Sequence, residues 1–69
     1  MDISLSYNRL WKLLIDRGMT KQDLRKVTGL SSASIAKLGK SQNVNTDVLV
    51  RICKALDCDL NDIVETVRK

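Results

Sequence analysis

The sequence predicts an all-α fold, a compact bundle of five helices. Two observations lead to it: a capping residue between two apolar residues recurs five times in 69 residues, and the segments between carry apolar residues at helical spacing. A third supports it, because Gly18, Gly29 and Gly39 each fall where a helix should stop.

The first helix is predicted over 7–17. Ser6 is its cap, Leu5 and Leu10 flank the cap as a hydrophobic staple, and Tyr7, Leu10, Trp11 and Leu14 form the apolar stripe before Gly18. The second, over 21–28, opens on Thr20 between Met19 and Leu24 and stops before Gly29. The third, over 32–38, opens on Ser31 between Leu30 and Ile35, and Gly39 closes it. The fourth, over 46–56, opens on Asn45 between Val44 and Leu49 and carries Leu49, Ile52, Cys53 and Leu56. The fifth, over 60–67, opens on Asp59 between Cys58 and Ile63 and carries Ile63, Val64 and Val67. A short N-terminal arm over 1–5 and a frayed end at 68–69 complete a single domain over 1–69.

Helices two and three have only about two turns each, too few to be stable alone, so both depend on the core. Joined by Gly29-Leu30-Ser31, they form a tight helix-turn-helix.

A chain of this length builds one core, and 43% hydrophobic with 29% charged residues is a globular balance. The absence of proline argues against extended linkers. Cys53 and Cys58 lie five apart without any His, which is no zinc spacing, and read as reduced thiols of a cytoplasmic protein, with a redox role as the alternative. No leader pattern and no apolar run of membrane-spanning length is present, so neither export nor insertion is expected.

Net charge is +4, and it is uneven. Residues 1–45 carry eight Lys and Arg against three Asp, while 46–69 carry four against five Asp and Glu. That asymmetry suits either a polyanionic partner or a solvated basic surface.

The third helix is the unusual element. With Ile35 and Leu38 on its core edge, its outward face consists of Ser32, Ala33, Ala36 and Lys37, with Ser34 at the margin. Solvent-facing helices ordinarily carry Glu, Lys and Gln instead. Small side chains permit close approach, and in a DNA major groove Ser meets base edges, an alanine methyl meets a thymine methyl, and Lys reaches guanine. The helix N-terminus offers its amides to a phosphate. The same neutral face also suits packing against another subunit. Lys40 and Asn43, in the polar loop 39–43, are either phosphate contacts or plain surface, and the same choice applies to Arg25 and Lys26 on the second helix.

These residues resemble the Cro and phage-repressor type of helix-turn-helix DNA-binding domains, among them the very small bacterial and phage regulators. The resemblance covers roughly residues 7–64. It rests on Thr20-Lys21-Gln22-Asp23-Leu24 opening the second helix, Gly29 in the turn, Leu30-Ser31 entering the third, Ile35 and Leu38 on its core edge, and LVRICKALDCDLNDI over 49–63. It implies a sequence-specific transcriptional regulator acting as a homodimer, with the third helix in the major groove of double-stranded DNA; a repressor is expected, and the sequence itself does not separate repression from activation. Carried over by position, Ser32, Ala33 and Lys37 face bases, while Lys21, Ser31, Ser34 and Lys40 meet the phosphate backbone; Asn43 is a further backbone candidate from the reading of the loop alone. Arg25 stands where the family most often has alanine under the turn, so either the two helices splay or the arginine stem snorkels outward.

A different class of function uses the same bundle to hold a protein, as an antitoxin or anti-repressor does, with Ile3, Leu5, Val50 and Val67 as apolar residues left for that contact or for a homodimer. Salt separates the two classes, because DNA binding weakens steeply as salt rises. Catalysis is not expected: the chain has no His, no Gly-rich phosphate loop, no nucleophile elbow and no metal-ligand cluster. No cofactor is implied.

Overall fold

The computed structural model describes residues 2–68. Along the chain run β1 (Ile3–Ser6), α1 (Asn8–Asp16), α2 (Lys21–Thr28), α3 (Ser32–Gly39), α4 (Thr46–Leu56), a single 3-10 turn (Leu60–Asp62) and β2 (Glu65–Arg68). Four of the five expected helices form, α2 and α4 with the expected bounds.

The fifth helix does not form, and the fold is not purely helical. Residues 60–67 divide into the 3-10 turn and β2, which pairs antiparallel with β1 in the register Ile3 to Arg68, Ser4 to Val67, Leu5 to Thr66 and Ser6 to Glu65. The apolar spacing of Ile63, Val64 and Val67 fits a helix, but Ile63, Val64, Thr66 and Val67 are all β-branched, and such side chains lose rotamer freedom in a helix and pack well on a pleat. The partner strand lies at the opposite end of the chain, where Ile3-Ser4-Leu5-Ser6 alternates apolar and small polar residues. Residues 3–5 are therefore strand rather than arm, with exposed Asp2 outside the strand, and Arg68 is paired rather than frayed; Met1 and Lys69 lie outside the described residues.

A two-stranded ribbon is marginal by itself. This one is held down by Leu5 and Val64, which pack against the core, and by Arg9 of α1, whose guanidinium donates to the Asn61 carbonyl at 2.8 Å and pairs with Glu65 at 3.3 Å.

The predicted caps fare unevenly. Thr20 Oγ1 accepts from the Asp23 amide at 3.1 Å while Asp23 Oδ2 accepts from the Thr20 amide at 2.9 Å, a reciprocal capping box. Ser31 Oγ accepts from the Ser34 amide at 3.2 Å. Asp59 accepts from the Leu60 amide at 2.8 Å, but it caps a turn that is not continued. Helix α1 starts one residue later than expected, with Tyr7 rather than Ser6 at its cap position, and Asn45 precedes α4 without a side-chain capping bond.

The core is built from Tyr7, Leu10 and Leu14 beneath α1, Leu24 of α2, Leu30 of the turn, Leu38 of α3, Leu49, Ile52 and Leu56 of α4, and Ile63. Each fully buried Leu or Ile contributes about 1.5–3 kcal/mol of transfer free energy. That burial anchors α2 and α3, which have eight residues each. Gly29 makes their tight junction possible by taking φ of 70°, in the left-handed region. Thr28 reinforces it, its hydroxyl donating to the Leu24 carbonyl at 2.6 Å and accepting from the Leu30 amide at 3.3 Å.

Candidate nucleic-acid interface

Helix α3 is fixed along one edge and open along the other. Leu38 is fully buried and Ile35 half-buried, whereas Ser32, Ala33, Ala36 and Lys37 are exposed and Ser34 is intermediate, as the helical period requires. The expected outward face is thus the observed one.

Both ends of α3 are locked. At the start, Ser31 spends its hydroxyl inside the helix, accepting from the Ser34 amide and donating to Ser34 Oγ at 3.2 Å. At the end, the Gln42 amide reaches the Lys37 carbonyl at 2.9 Å and the Ser41 amide reaches that of Leu38 at 3.2 Å, the paired bonds of a Schellman motif. Ser41 takes the left-handed conformation that closes the helix, with φ of 55°, so Gly39 is the last helical residue and not the terminator. The loop that follows is tied to the core by the buried Tyr7, whose hydroxyl donates to the Gln42 carbonyl at 2.8 Å. Burial raises the Tyr7 pKa above its usual value.

Beside this face lies the start of α2. The Lys21 ammonium sits 4.7 Å from the centroid of the Trp11 ring and close to Gly39, where an added Cβ would come within 3.5 Å of it. A cation there is favoured by the aromatic face and by the negative end of the α3 dipole. Lys21, Gln22, Arg25, Ser32 and Ile35 line a shallow groove of about 250 Å³ between the two helices. Arg25 leans out of α2 along it and its guanidinium donates to Ser32 Oγ at 3.0 Å. The stem thus snorkels outward and the head bridges to α3.

Of the expected contact residues, Ser32, Ala33 and Lys37 share the open face of α3, with Ser31 and Ser34 at its N-terminus, Lys40 directly after its C-terminus and Lys21 beside Gly39. Asn43 lies exposed in the following loop. Gln22 received no role from the sequence, although its i,i+3 spacing to Arg25 places both on one face of α2. Asp23, the acid of the second helix, is occupied by its capping box, and the Thr20 amide and hydroxyl hold its carboxyl below the usual range.

Elsewhere there is little chemistry. Among the described residues no group of His, Cys, Asp or Glu could hold a metal, and no helix is long and apolar enough to cross a membrane. Cys53 and Cys58 are free and half-buried, and burial together with the neighbouring Cys53 pushes the Cys58 thiol up to about 11, which keeps it protonated and a poor nucleophile.

The chain is similar to known proteins in sequence and in fold. A family model of the Cro/C1-type helix-turn-helix DNA-binding domain matches residues 9–69. An uncharacterized HTH-type transcriptional regulator of Bacillus subtilis (strain 168), YozG, is 38% identical over 55 residues, covering 77% of this chain and 66% of that protein's length. The crystal structure of the transcriptional regulator VanUg, Form II, superimposes with a TM-score of 0.94 at 49% identity, covering 100% of this chain and 92% of that one. The resemblance carried by Thr20–Leu24, Gly29 and the core edge of α3 is therefore one of descent as well as shape, and the chain belongs to the Cro/C1-type helix-turn-helix DNA-binding domains.

Proposed function

We propose that this domain is a sequence-specific regulator of transcription that binds double-stranded DNA as a homodimer, lays α3 in the major groove and represses by occupying a promoter. The observation that carries the reading is the face of α3, where Ser32, Ala33 and Ala36 are small and exposed and Lys37 is the one long side chain beside them, on a helix rigidly held at both ends. A backbone so lightly covered can approach base edges closely.

In this reading Ser32, Ala33 and Lys37 face bases. Lys21, Ser31, Ser34, Lys40 and Asn43 meet phosphates, Ser31 through the helix N-terminus that it caps, since its hydroxyl is already engaged. Two copies present their α3 helices about 34 Å apart, one turn of B-DNA. Ile3 and Val50, 58% and 46% exposed, are apolar side chains available to the contact between copies, whereas Leu5 and Val67 are half-buried within the chain. The domain acts in the cytoplasm by occupancy, without a catalytic step of its own.

In vitro selection from random duplexes at moderate salt tests this. A palindromic consensus with half-sites one helical turn apart is expected from the wild type, and none from Ala33→Glu, which places a carboxylate in the groove. Absence of any enrichment by the wild type would move the assignment to a protein-binding module of the antitoxin or anti-repressor kind.

A further inference from the structure

We infer that Arg25 is a positioning residue for base specificity, acting through Ser32. The inference rests on the major-groove reading of α3 proposed above and adds a residue and a base preference to it. It starts from the one hydrogen bond that crosses the turn between the two helices at the groove, from Arg25 Nη1 to Ser32 Oγ at 3.0 Å.

A guanidinium only donates, whereas a hydroxyl carries one proton and two lone pairs. Ser32 Oγ therefore accepts from Arg25 and cannot return its proton to it. Nor does the helix take that proton, because Ser32 is the first residue of α3 and has no preceding turn of the same helix beneath it. The hydroxyl is left polarised, with its proton directed away from the arginine on the exposed face of α3.

This changes what Ser32 recognises. A free serine pairs with either donors or acceptors on a base edge. Held by Arg25, it keeps one lone pair, but accepting from a cation polarises the O–H and weakens that remaining lone pair, so donation is favoured over acceptance. In the major groove guanine offers N7 and O6 and thymine offers O4, all acceptors, while cytosine offers only its N4 amino group, a donor. At the base facing Ser32 a hydroxyl so biased prefers an acceptor edge, guanine N7 and O6, thymine O4 or adenine N7, and disfavours cytosine, whose amino group would have to use the weakened lone pair. The positive guanidinium behind the hydroxyl works in the same sense, since it repels a second donor and favours the electronegative edge of guanine.

The alternatives for Arg25 are a phosphate contact and an exposed side chain without a role, and base preference separates them. Selection followed by affinity measurements on the selected duplex and its single-base variants is run with the wild type, Arg25→Met, Ser32→Ala and the double variant. Arg25→Met keeps most of the stem and removes the donor. Cytosine should be excluded at one position in each half-site by the wild type. Both single variants should relax that exclusion about fivefold, at the same position, as expected for one hydrogen bond. The double variant should relax it no further than either alone.

Equal weakening of every duplex by Arg25→Met, with preference unchanged, would show a phosphate contact and overturn the inference. So would relaxation by the two variants at different positions, or effects that multiply. Both side chains are exposed, so the variants should keep the wild-type circular dichroism and melting temperature. If Arg25→Met nevertheless melts early, Ser32→Ala alone decides, because undiminished exclusion of cytosine without that hydroxyl refutes the assignment. Failure of the underlying reading looks different: the wild type itself would then select no consensus, and the inference would fall with it.

Discussion

Lys37 is the only long side chain among the four exposed residues on the face of α3, and its loss should be felt by sequence rather than by charge alone. Lys37→Ala is expected to weaken the selected duplex by about 1–3 kcal/mol and random DNA by less, compared by titration at one salt concentration; equal losses on both would reduce Lys37 to a phosphate contact. Tyr7 acts from inside. Its hydroxyl holds the loop after α3, so Tyr7→Phe should cost about 1 kcal/mol of stability. Because burial raises its folded pKa, the contribution is present below the unfolded value near 10 and is lost as pH rises above it. Thermal melts from pH 7 to 11 should therefore fall more steeply for the wild type than for the Phe variant at the alkaline end. Much at this scale was legible in the sequence, since exposure of Ser32, Ala33 and Lys37 follows from the period of one helix once Ile35 and Leu38 are taken as its core edge. The link from Arg25 to Ser32 and the seat of Lys21 over Trp11 were not, because both depend on how two helices cross, which no local spacing encodes.

At the level of elements, α3 is held by a motif whose chemistry is only partly optimal. Its closing residue, Ser41, takes a left-handed conformation that costs an L side chain about 1 kcal/mol and glycine almost nothing. Ser41→Gly is thus expected to raise stability by about 0.5–1 kcal/mol, read as a higher denaturation midpoint with an unchanged slope. A decrease would mean that the Ser41 side chain makes a contribution larger than the backbone strain. The bounds of α2 are readable because its signals are local, a capping residue, an apolar stripe and a glycine at the end, whereas α4 is legible from its apolar stripe and the staple about Asn45. The fifth helix is absent for the complementary reason. Over 60–67 the helical spacing of three apolar residues competes with a β-branched run, and the deciding contact, pairing with Ile3–Ser6, comes from the other end of the chain.

Across the whole molecule the charge asymmetry matches the placement of the site. Lys21, Arg25, Lys37 and Lys40 lie in or directly after α2 and α3, within residues 1–45, the part of the sequence that carries the positive excess. Affinity for duplex should fall steeply with salt as counterions are released, with a slope near −0.9 per phosphate contacted. Lys21→Ala and Lys40→Ala should each weaken all duplexes similarly and flatten that slope by about one, and an unchanged slope would remove the residue concerned from the footprint. The pairing of β1 with β2 also governs how the chain assembles. Every pair in that ribbon joins residues about sixty apart, whereas α2 and α3 meet across a few. Closing the longer loop costs more entropy, so the ribbon is expected to close after the helices meet. A chain emerging from the ribosome N-terminus first must hold Ile3–Ser6 without its partner strand until Arg68 has left. In that interval an unpaired edge carrying Ile3 and Leu5 is the nascent chain's aggregation hazard, and a strand of only four residues, half of them serine, keeps the hazard small.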